Sequence, residues 1–153
     1  MSQSTHATFT MSSTYDQEMK HILVPTDFSD AANNPVEYAL QLAADTVASV
    51  TFLNVYHVPL PAGEFPMMLI SPHEILEKNR DHMNGLITAT KLKYGNKFPI
   101  TGLTREGFAA AEIVNVAAEI KADLVVIGTR GSTSAIGSIL GSITIEVMKL
   151  SRV

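Results

Sequence analysis

The sequence predicts an α/β fold, a doubly wound parallel sheet with helices on both faces. Three observations lead there. Short apolar runs alternate with helical stretches in the order β-α-β-α-β-α-β-α. The best of those runs are continuously apolar rather than alternating, as in strands buried on both faces. The chain has 153 residues, 46% of them hydrophobic and 17% charged, enough for one domain with a sizeable core. Right-handed crossovers between parallel strands then wind the chain both ways from its first strand.

The first element is His21–Pro25 (HILVP), a short buried strand. A helix follows, with Ala39, Leu40, Leu42 and Ala43 at helical spacing. Its start has two readings. Ser29 can cap it, which puts Pro35 deep inside, or Asn34 caps it with Pro35 at the first helical position, the cleaner arrangement. Ser49–Val58 (SVTFLNVYHV), rich in β-branched and aromatic residues, is the second strand. Pro59–Ile70, with three prolines, a glycine and Met67–Met68, reads as a long loop whose methionines either anchor it or cover a cleft. Ser71-Pro72-His73-Glu74 announces a helix through a capping box with proline at the first position. Leu76, Met83 and Ile87 form its apolar stripe, and Gly95 lies near its end. Pro99–Thr104 is a weaker third strand. Ala109–Ile120 is helical, with Ile113, Val116, Ala117 and Ile120 on one face. Leu124–Ile127 (LVVI) is the fourth strand, a glycine-spaced loop follows, and a last helix runs from about Ser142 to Leu150. Residues 1–18 are Ser/Thr-rich, without the apolar core of a signal peptide or the arginines of a transit peptide, and read as a disordered leader before a domain spanning 19–153.

Composition narrows the chemistry. Net charge is −4, from 11 Lys plus Arg against 15 Asp plus Glu, with no basic stripe, so nucleic acid is a poor partner. Nothing approaches the ~18 consecutive apolar residues of a membrane span. The chain has no Cys, which excludes disulfides, thiolate zinc sites and thiol catalysis, and fits a cytoplasmic setting. The five histidines, His6, His21, His57, His73 and His82, show no metal-ligand spacing.

In such a fold a ligand sits beyond the carboxyl ends of the strands, where strand order reverses. The informative residues therefore follow the strands: Pro25-Thr26-Asp27-Phe28-Ser29 after the first, and Ile127-Gly128-Thr129-Arg130-Gly131 through Gly141-Ser142-Ile143-Thr144 after the fourth. Glycines at 128 and 131 can adopt positive φ and admit a ligand to the backbone. Gly141 and Ser142 open the last helix, where free N–H groups and the positive dipole end favour a phosphate. On glycine content alone, a plain loop followed by an ordinary cap fits equally well.

The spacing resembles a known family. Gly128-x2-Gly131-x9-Gly141-Ser142 is similar to the G-x2-G-x9-G-[S/T] pattern of ATP-binding universal stress proteins. HILVPTDFSDAA looks like that family's first strand and turn, and LVVIGTRG like its fourth strand. The resemblance runs from about Met19 to the C-terminus. It implies a Rossmann-like fold of the adenine nucleotide α-hydrolase kind and a bound ATP or other adenine nucleotide, usually with Mg²⁺. It also implies the contacts. Pro25, Thr26 and Asp27 would face the nucleoside, with Asp27 by the adenine or ribose. Val55 would flank the adenine, and Gly128, following Ile127, would lie by the ribose. Gly131, Gly141, Ser142 and Ile143 would cradle the phosphates, with Thr144 as a further contact. Arg130 is either a charge-assisted phosphate donor or a solvated arginine.

Two departures stand out. Pro35 falls where the family's first helix is uninterrupted. The chain also stops at Val153, before the family's fifth strand, as a truncated chain or the first half of a tandem protein would. Family strand order is 3-2-1-4-5. Without the fifth strand, Leu124–Ile127 becomes a short, uncharged edge. Self-association is then expected, through that edge or through Ile143, Val147 and Leu150 of the last helix. On function, the resemblance implies a regulatory binding module. An enzyme of the same fold acting on the nucleotide, by slow phosphate hydrolysis or adenylyl transfer, is a weaker alternative, because the sequence has no P-loop, no S-G-G-x-D-S loop and no H-I-G-H-like motif. A ligand-free interaction protein is the other alternative, and the intact glycine pattern weighs against it.

Overall fold

The computed structural model describes residues 19–58, 71–129 and 141–151. Four strands and four helices alternate: β1 (His21–Pro25), α1 (Asp30–Thr46), β2 (Ser49–Tyr56), α2 (Pro72–Tyr94), β3 (Ile100–Glu106), α3 (Ala109–Glu119), β4 (Leu124–Val125) and α4 (Ser142–Leu150). The sheet order is β3-β2-β1-β4, and every pairing is parallel. The chain thus builds outward from β1 to β3, then crosses back to place β4 on the other side of β1. This is the expected doubly wound architecture, and its reversal lies between β1 and β4.

Alternate residues of the strands feed two cores. Ile22, Val24, Val50 and Phe52 face α1 and α2, packing with Val36, Ala39, Leu40, Ala43 and Met83. Leu23 and Leu53 face α3 and α4, packing with Ala110, Ile113, Val116, Ala117 and Val147. The continuous HILV run follows from this: Ile22, Leu23 and Val24 are all fully buried, between helices on both sides. α2 comes close to β3 at Gly102, where a Cβ would stand 2.6 Å from Met83 Cγ and 2.8 Å from Ile87 Cδ1. The Ser71–Glu74 capping box is present in full.

Several boundaries differ from the sequence reading. α1 starts at Asp30 after Ser29, so Pro35 lies inside the helix rather than at its first position. Proline cannot donate to the Ala31 carbonyl, yet the helix continues, because Val36, Ala39, Leu40 and Ala43 bury its apolar stripe. β2 ends at Tyr56, two residues early. β3 runs on to Glu106, because Asn54–Tyr56 of β2 pair with Thr104–Glu106. β4 keeps only Leu124 and Val125 of the expected four residues, both half-buried, although the Val126 N–H still donates to the Leu23 carbonyl at 2.9 Å. Among the described residues β4 has β1 as its one strand neighbour, which shortens the pairing that can hold it extended. On α4, Val147 is buried in the core rather than free for a partner. The exposed apolar side chains there are Ile143, Ile145, Met148 and Leu150.

Candidate functional site

The carboxyl ends of β1 and β4 meet at the reversal of strand order. Past β1 the chain turns sharply through Thr26, Asp27, Phe28 and Ser29. The Thr26 N–H donates to the Leu53 carbonyl at 2.8 Å, which carries the ladder one residue beyond β1. Its hydroxyl oxygen accepts the Phe28 N–H at 3.1 Å, and Asp27 Oδ1 accepts both the Ser29 N–H at 3.0 Å and the Ser29 hydroxyl at 2.5 Å. These i to i+2 bonds are the local turns that Thr and Asp side chains make with following backbone. They hold Phe28 at φ 59°, a left-handed conformation uncommon for a bulky residue. Thr26 is buried and Asp27 exposed, so the threonine shapes the turn and the aspartate faces solvent. The Phe28 ring sits edge-on to His82 of α2, with centroids 5.3 Å apart.

Asn54 supports this turn from below. It is the polar interruption in the apolar run of β2, buried at 4% exposure, and its Nδ2 donates to the Thr26 carbonyl at 3.0 Å. Its Oδ1 is buried without a hydrogen-bond partner. A single Asn within FLNVY is the sequence signal for this role, since a buried amide requires a partner. Val55, beside it, is half-buried on the α3/α4 side and packs with that core, as does Ile127.

On the β4 side the two ends of the glycine-spaced loop come together. The Thr144 hydroxyl donates to the Gly128 carbonyl at 2.7 Å, and the Gly141 N–H donates to the Thr129 carbonyl at 2.6 Å. Thr144 is buried, so its hydroxyl fastens the loop ends. Gly141 is the N-cap of α4 at φ −67°, and among the described residues no side chain caps that helix. Positive φ occurs at Gly95 and Gly107 among the described glycines; Gly128 is not among them. Ser142 and Ile143 are exposed on the first turn of α4. Pro25 ends β1 and Val55 lies one residue before the end of β2; Thr26 and Asp27 follow β1, Ile127 and Gly128 follow β4, and Gly141, Ser142, Ile143 and Thr144 open α4. Arg130 and Gly131 lie outside the described residues, as do His6, Met67 and Met68.

Among the described residues no cluster of three His, Cys, Asp or Glu side chains could hold a metal ion, and no helix is long and apolar enough to cross a membrane. A cleft of about 310 Å³ lies at the opposite edge of the sheet, between α2 and β3, lined by Met83, Ile87, Gly102 and Thr104 among others. It is separate from the β1/β4 junction.

Residues 18–153 match the model of the universal stress protein family. The chain belongs to the universal stress protein family. A relative within it, universal stress protein MJ0531 of Methanocaldococcus jannaschii, is 34% identical over 134 residues, covering 85% of this chain and 76% of that protein. Solved universal stress proteins share the fold. UspA from Lactobacillus plantarum superposes with a TM-score of 0.74 at 24% identity, covering 88% of this chain and 94% of that one. Protein MJ0577 gives a TM-score of 0.67 at 25% identity, over 88% and 92% of the two chains. A universal stress protein solved in complex with cAMP gives 0.65 at 24% identity, over 88% and 93%.

Proposed function

We propose that this universal stress protein binds ATP or another adenine nucleotide at the β1/β4 junction and acts as a regulatory, stress-response binding module in the cytoplasm. The observation that carries the reading is the joining of the loop ends. Gly128 and Thr144 are distant in sequence but hydrogen-bonded, which sets the start of α4, without a capping side chain among the described residues, beside the end of β4, next to the Asp27 turn. A helix start without a capping side chain has backbone donors available to an anion. Asp27 stands at the nucleoside end, and Gly141, Ser142 and Ile143 at the phosphate end, with Gly131 and Arg130 in the intervening loop. The shared fold of the cAMP complex supports an adenine nucleotide as a ligand this architecture admits. A Mg²⁺ would arrive on the phosphates, whose oxygens are the hard donors it prefers.

The test is calorimetric titration with ATP, beside mass spectrometry of any ligand released from the purified protein. Gly141→Val suits it, because φ −67° and ψ 148° are open to valine while its side chain crowds the phosphate approach. Loss of ATP binding in both Gly141→Val and Asp27→Ala, with the fold retained, is the expected result. Unchanged affinity in both variants rejects the site.

A further inference from the structure

Two exposed rings stand together on the carboxyl rim of the sheet and take no part in either core. His57, just past β2, and Phe108, which opens α3, stack with centroids 5.8 Å apart and planes 28° apart. Phe108 is 77% exposed. The backbone holds the pair side by side. The Gly107 N–H donates to the Tyr56 carbonyl at 3.0 Å, and Gly107 has φ 152°, a conformation that favours glycine. The turn into α3 is thereby fastened to the end of β2. The placement relative to the nucleotide site follows from strand order. β2 lies between β1 and β3, so His57 stands between the Asp27 turn and Phe108, two residues beyond Val55.

We infer that His57, backed by Phe108, forms a stacking shelf for the planar base of the bound nucleotide, extending the site from Val55 toward β3. The inference rests on the nucleotide reading above. Two offset rings make a preformed flat surface, and stacking a third ring on it removes apolar area from water without reorganising the fold. Every nucleobase has a π face, so such a shelf selects for the presence of a base over a bare polyphosphate.

Titration of the full chain with ATP and with inorganic tripolyphosphate tests it. His57→Ala and Phe108→Ala are expected to weaken ATP roughly tenfold, the scale of one base–aromatic stack, and to leave tripolyphosphate unchanged. His57→Phe is expected to restore ATP affinity. Ligand-free thermal midpoints should not move, because both rings are exposed. If the wild-type chain binds ATP and both alanine variants bind it equally well, the shelf is overturned while the nucleotide site stands. Equal loss for ATP and tripolyphosphate also overturns it, by placing the effect on the phosphate end. A wild-type chain that binds neither ligand overturns both readings.

Discussion

Ser142 and Thr144 sit two positions apart on the first turn of α4 and have opposite surroundings. Ser142 is exposed, whereas Thr144 is 6% exposed and its hydroxyl is committed to the Gly128 carbonyl. The consequences of deleting each hydroxyl should therefore separate. Ser142→Ala removes at most one hydroxyl hydrogen bond to an anionic phosphate, about 1.5–3 kcal/mol, so ATP affinity should fall roughly ten- to a hundredfold with stability unchanged. Thr144→Val leaves a carbonyl without its donor at the join of the loop and should cost about 1–3 kcal/mol of stability. Denaturant unfolding alongside ATP titration of the two variants checks this. The reverse pattern, with Thr144→Val neutral for folding and Ser142→Ala severe for binding, would reassign the two roles.

The elements are tied at the amino end of the sheet by a single carboxylate. Asp123, leading into β4, accepts the backbone N–H groups of Lys20 at 2.8 Å and His21 at 2.9 Å, where β1 begins. These two bonds, the one from Lys20 foremost, hold its carboxyl below the ordinary value of 3.8. The sign follows from linkage. A carboxyl lowered in the folded state stabilises fully above its ordinary value, and that contribution is lost as pH falls through the lowered one. Wild type should be more stable than Asp123→Asn at neutral pH, and their unfolding midpoints should converge as pH falls below 3.8 and through the lowered value of the folded state. A constant gap across that range would mean that the carboxylate charge plays no part. On the α1/α2 face, the Glu37 carboxylate accepts from Lys93 at 2.7 Å and from the Tyr94 hydroxyl at 2.9 Å, joining the two helices across the surface.

Two features of the assembled molecule point to self-association. β4 pairs on one side only among the described residues, and it carries no charge or proline to discourage another strand. Beside it, α4 exposes Ile145 at 39% and Met148 at 67%, spaced i and i+3 on the face away from Thr144 and Val147. We expect a homodimer that buries this corner. Light scattering over a wide concentration range should show it, and Met148→Lys with Ile145→Lys should shift the protein toward monomer without loss of helix content. A wild-type chain that stays monomeric at high concentration rejects the idea.

The fold class, the order of elements and the whole of the α2 capping box were legible in the sequence, because apolar periodicity and helix-start chemistry are local properties. The family was legible for a related reason: the spacing of its glycines and the Pro25-Thr26-Asp27 turn is written in short stretches of the sequence. Tertiary contacts settled the rest. Pro35 lies inside α1 because a buried stripe outweighs a missing hydrogen bond. β4 shrinks to two residues because pairing depends on neighbours supplied from elsewhere in the chain. Asn54 beneath Thr26, Thr144 on Gly128 and His57 against Phe108 join residues 28, 16 and 51 positions apart. No window along the chain contains such pairs; only the parallel sheet, by aligning strand ends from distant segments, brings them within reach.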